Sequence, residues 1–145
     1  MPSRPLRPVR GLALAALATL LIAAGCAPQS SSSSNSTSKF KGVQQDVAQA
    51  VEDVESAAND GDGAKICNDL VSSAFRQKLS ARGACATVVK EAIKDADSVA
   101  MKVDQVRVNG DTATARVTYE TGKKDRTGTI PLVREGGERR AEDGP

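Results

Sequence analysis

Three cysteines, Cys26, Cys67 and Cys85, and a single phenol, Tyr119, are the side chains of this 145-residue sequence whose chemistry is easiest to place, and there is no histidine. The lack of histidine removes Ser-His-Asp, Cys-His and His-Asp arrangements, and with them the commonest general base near neutral pH. Carboxylates are plentiful, but Asp95, Asp97 and Asp104 are not tied by spacing to Tyr119. A carboxylate becomes a useful acid at neutral pH only through burial or a like-charged neighbour, which sequence does not show. Cys67 and Cys85 are not a Cys-x-x-Cys pair, so a redox-active dithiol is a poor reading. Without histidine they also lack the further N or S ligands that zinc prefers. No glycine-rich phosphate loop is present: Gly61 and Gly63 read as helix-cap residues and Gly136-Gly137 as a turn. No catalytic constellation, resident metal or cofactor is expected.

Cys26 follows an apolar run from Gly11 to Gly25, and Arg4, Arg7 and Arg10 stand ahead of it with no acidic residue. A charged start, apolar middle and small-residue exit is the pattern of an export signal, and the run falls short of the ~20 apolar residues that a membrane span needs. The stretch Leu21 to Cys26 resembles the bacterial lipobox, departing from it at Ala23, where that motif usually has Leu. The resemblance implies cleavage between Gly25 and Cys26, a diacylglyceryl group on the Cys26 thiolate, and an extracytoplasmic protein held to the membrane by that lipid. An ordinary signal peptide that leaves a cysteine is the competing reading. No Arg-Arg pair precedes the run, so the general secretory route is favoured over the twin-arginine one.

Cleavage changes the charge balance. The whole chain has 20 basic and 18 acidic residues; three arginines leave with residues 1–25, so 17 face 18 and the formal charge moves from +2 to −1. The clustered basic surplus that nucleic acid requires is absent, and Lys123-Lys124 and Arg139-Arg140 read as solvated pairs. Residues 26–39 are rich in serine and carry no large apolar side chain, which reads as a tether. About 13 such residues reach on the order of 20 Å. With Cys26 acylated, Cys67 and Cys85 remain as an even pair in an oxidising compartment, where a disulfide is expected over two free thiols. Closing about 18 residues contributes ~3 kcal/mol on the chain-entropy model.

The elements that must position these groups begin near Phe40. Phe40, Val43, Val47, Val51, Val54 and Ala58 fall three or four apart, with Gln44, Gln45, Asp46, Glu52, Asp53 and Glu55 on the other faces, and predict a helix over about 41–59. Asn59-Asp60-Gly61-Asp62-Gly63 ends it and caps the next, since Gly61 accepts the left-handed position and Asp62 an N-cap role. Ile66, Leu70, Ala74 and Phe75 give a second helix, with a break and recap at Ser72-Ser73. Cys85, Val88, Val89, Ala92, Ile93 and Ala96 give a third. Beyond Asp97 the period falls to two. Val99, Met101 and Val103 slip phase at Asp104-Gln105 before Val106 and Val108, a strand with a bulge. Asn109-Gly110-Asp111 is a hairpin turn, after which Ala113, Ala115, Val117 and Tyr119 share one face. Thr127 to Arg134 gives a third strand, and Pro131 argues for an edge or a bulge there. Helices first and an antiparallel meander after make an α+β plan.

This succession resembles bacterial lipoproteins of the NTF2-like superfamily, an α+β cone. The matching features are the helix ending in Asn59-Asp60-Gly61-Asp62, Ala64 with Ile66-Cys67, Phe75-Arg76, Cys85 opening a helix, Val106 to Ala115, and Leu132-Val133-Arg134-Glu135-Gly136-Gly137. They cover most of residues 43–137. Such proteins typically continue with a tryptophan and a closing strand, whereas this chain continues Glu138-Arg139-Arg140-Ala141-Glu142-Asp143-Gly144-Pro145. The last strand is therefore expected to be missing or worn, with a domain at 40–137 and a polar tail at 138–145. The resemblance implies a cone interior with Tyr119, Val117 and Met101 as candidate pocket residues. Two functions follow: a non-catalytic domain binding a small apolar ligand or an envelope protein, or a small isomerase- or dehydratase-type enzyme using Tyr119 and a carboxylate. A third reading is a decayed copy without activity. The outward row Thr112, Thr114, Arg116 and Thr118 is too polar to demand a dimer.

Overall fold

A valine or alanine at nearly every turn builds α1 (Val43–Asn59) of the computed structural model, which describes residues 37–94, 99–121 and 124–144. Ahead of it, a short 3-10 turn, Thr37–Lys39, lies where the tether was expected to run on to residue 39. Thr37 N–H and Oγ1 donate to the two carboxylate oxygens of Glu52, fastening this turn to α1. The buried face of α1 is Val47, Ala48, Val51, Glu55 and Ala57. Two residues exchange the places expected of them: Val43 is 50% exposed, whereas Glu55 is 3% exposed. Helical phase accounts for Glu55, which stands four after Val51 on the stripe of Val47 and Val51, whereas Val43, on the same phase, is the first residue of the helix and lies beyond its buried stretch.

Gly61, at φ +67°, turns the chain out of α1. Asp62 then accepts from the Lys65 N–H and opens α2 (Gly63–Lys65), which continues into a π-helical turn, Ile66–Leu70. The Ser72 hydroxyl accepts from the Phe75 N–H at 3.1 Å and recaps the chain as α3 (Ser73–Ser80). The second helix of the sequence reading is thus a set of short pieces. α4 (Cys85–Ile93) follows. A disulfide joins Cys67 of the π-helical turn to Cys85 at the start of α4, with Cα atoms 6.1 Å apart. Gly63 makes the neighbouring close approach, since a Cβ there would lie 2.6 Å from the Ala86 carbonyl oxygen.

Four strands, β1 (Met101–Asn109), β2 (Thr112–Thr121), β3 (Lys124–Glu135) and β4 (Glu138–Ala141), form one antiparallel sheet in sequence order. The register shifts between Val103 and Gln105, at the bulge read from the sequence. Asn59 extends the sheet's reach to α1: its side-chain amide donates to the Val99 carbonyl and accepts from the Val99 N–H, both at 2.7 Å. The closing strand, expected to be missing or worn, is present as a short one of four residues. Gly136 and Gly137 both take positive φ, which permits a two-residue hairpin and lets Leu132 pair with Ala141. The Ala141 carbonyl accepts from the Ser72 N–H, so residues 138–141 belong to the domain and not to a tail.

Pro131 is explained by where β4 stops. Its carbonyl accepts from the Glu142 N–H just past that strand. In a strand, a residue's N and O point to the same side, so the donor that proline lacks faces the end of β4 and no ladder bond to β2 is lost. The inner face of the sheet packs Met101, Val103, Val106, Ala113, Ala115, Val117, Ile130, Leu132 and Ala141 on Val47, Ala48 and Val51. A second apolar cluster of Ala57, Ile66, Cys67, Val71 and Val89 sits under the short helices.

Candidate functional site

The two clusters do not close on each other. Between them lies a cavity of about 330 Å³, lined from the sheet side by Met101, Ile130 and Leu132, from α1 by Val51, Val54 and Ala58, and from the short helices by Ile66, Phe75, Leu79, Val88, Val89 and Ile93. The space has a compositional origin. The sequence holds two Phe, one Tyr and no Trp, and small side chains on short helices leave volume that aromatic rings would otherwise fill. The stripe of α4 that reads as core from its periodicity is here the wall of a chamber. Arg82 and Asp143 are the charged side chains on the lining. A concave, apolar space of this size suits a small ligand held by shape and burial.

Met101 is also the wall of a second, polar cleft of about 420 Å³, shared with Glu55, Lys102, Tyr119, Glu120 and Asp125. Burial pushes the Glu55 carboxyl up from its ordinary value of 4.5; the Met101 N–H, donating to it, acts in the opposite direction, and the charge of Glu52 adds to the rise. Among the described residues Glu55 Oε2 has no hydrogen-bond partner. Glu55 is the functional candidate that the sequence reading placed on the wrong face, and its spacing of four from Val51 is the signal that would have found it.

Of the candidate pocket residues, Met101 lines the cavity, Val117 is fully buried in the sheet core and Tyr119 opens to the polar cleft. Tyr119 pairs across the sheet with Met101 on one side and Arg126 on the other. Among the described residues its hydroxyl shares no hydrogen bond with a carboxylate. The Cys67–Cys85 bond binds the floor of the cavity, because Ile66 adjoins one cysteine and Val88 and Val89 follow the other in α4. Gly25 and Cys26 lie outside the described residues. None of the described helices is long and apolar enough to cross a membrane.

No protein-family model matches the chain, and no curated protein does. Among solved structures it is similar to a de novo designed NTF2 fold protein, NT-9, at 17% sequence identity and a TM-score of 0.51, covering 72% of this chain and 87% of that one. The domain therefore has an NTF2-like α+β fold.

Proposed function

We propose that this protein is an extracytoplasmic lipoprotein, anchored through Cys26, whose NTF2-like domain holds a small apolar ligand without transforming it. The carrying observation is the 330 Å³ apolar chamber between helices and sheet. An enzyme of the isomerase or dehydratase kind would want an acid and a phenol inside such a chamber, whereas Tyr119 and Glu55 stand in the cleft on the far side of Met101. The export-signal pattern and the Leu21 to Cys26 stretch support the anchor, and the disulfide accords with an oxidising compartment.

Two measurements test the reading. Ala58 lines the chamber, so Ala58→Phe should fill it, abolishing the fluorescence gain of an environment-sensitive naphthalene dye while leaving the melting temperature within a few degrees. Undiminished dye binding by that variant would remove the chamber as the site. For the anchor, Cys26→Ser should move the protein from the membrane fraction to the soluble one and end its labelling by a fatty-acid analogue. Retained labelling would sink the lipoprotein assignment.

A further inference from the structure

Glu55 is the one buried ionisable side chain among the described residues. One side of its carboxylate takes the Met101 N–H, and Oε2 takes nothing from the described residues. A buried carboxylate in that condition lacks compensation, and a donor carrying positive charge would compensate it best. The surroundings select the same charge. Glu120, Asp125 and Lys102 also border the cleft, so with Glu55 the acids outnumber the base, and Tyr119 lines the same space. Glu52, on the same helix, adds a further negative charge nearby.

Met101 is the shared wall of this cleft and the apolar chamber, and an unbranched thioether side chain is the kind that moves aside for a ligand. Resting on the apolar-ligand reading above, we propose that the ligand is a cationic amphiphile, its apolar body in the chamber and a primary ammonium passing Met101 to Glu55 and Tyr119. The chamber's 330 Å³ holds about ten methylene-sized groups at ~30 Å³ each, the share of a water in the liquid. The charged residues on the chamber's own lining, Arg82 and Asp143, carry opposite signs and sum to no net charge.

The test compares n-octylammonium, n-octanol and octanoate, which share a chain and differ in head, on the full exported chain carrying Cys26→Ser to keep it out of micelles. Calorimetry gives affinity. The emission of Tyr119, the single tyrosine in a chain without tryptophan, reports arrival at the cleft. The expected order is octylammonium about tenfold tighter than octanol, with octanoate weakest. Glu55→Gln should bring octylammonium close to octanol and leave octanol unchanged. Equal affinities for octylammonium and octanol in the unsubstituted protein, or a preference that survives Glu55→Gln, overturns the ammonium assignment and leaves the chamber reading standing. Failure of both to bind overturns both.

Discussion

Replacing Cys67 and Cys85 together with alanine should lower the melting temperature by about 15 °C. The bond spans a sequence separation of 18, and the chain-entropy relation for a loop of that length gives ~3 kcal/mol at 25 °C. A folded domain of roughly 100 residues loses ~0.2 kcal/mol per degree near its midpoint, so the two figures together set the shift. The alanines also remove sulfur from the second apolar cluster, where Cys67 is buried. A second arm therefore melts the unsubstituted protein after reduction, breaking the bond without changing side-chain volume. Far-ultraviolet circular dichroism follows both. Reduction alone should give most of the shift, and the alanine pair somewhat more. A fall of less than about 5 °C in both arms would refute the reasoning, since it would mean that the open chain already keeps these segments together before folding.

Three further outcomes follow from single residues. Glu55→Gln should raise stability at neutral pH and flatten its pH dependence: the folded carboxyl lies above its ordinary 4.5, so its favourable contribution is fully present below that value and is lost as pH rises through the folded pKa. Urea midpoints across the acid range check this, and an unchanged pH slope counts against it. Gly63→Ala should cost about 1–3 kcal/mol, because the new Cβ meets the Ala86 backbone oxygen; an unaltered urea midpoint would show that α2 and α4 can part freely. Ser72→Ala should cost about 1 kcal/mol by removing the cap on the Phe75 N–H, while the backbone bond from Ser72 N–H to Ala141 persists. Faster amide exchange confined to the first turn of α3 is the signature to seek.

Local rules carried much of this fold. The Asp62 and Ser72 caps, the bulge at Val103–Gln105 and the Gly110 turn each depend on one or two neighbouring residues, and each occurs where its residue types predict. The failures share a different origin. β4 was hidden because Arg139 and Arg140 look solvated, and what makes a strand of them is non-local pairing with Val133 and Arg134. At Glu55 charge points outward and phase points inward, and the stripe it shares with Val47 and Val51 prevails. The chamber itself was not legible. A stripe such as Val88, Val89, Ala92 and Ile93 has the same pattern whether its neighbours touch it or stop short.

The clasp between Thr37 and Glu52 decides where a pull on the chain is felt. Glu52 stands nine residues into α1, roughly 14 Å from its first turn, so the backbone doubles back along the helix between the clasp and Gly42. A pull on the chain ahead of Thr37 therefore meets α1 at Glu52, through two hydrogen bonds, before it meets the first turn, and Phe40 holds the intervening loop against the apolar cluster of the sheet. In mechanical terms the clasp is a sacrificial fastener: it gives up two hydrogen bonds to a pull that would otherwise fall on the first turn of α1.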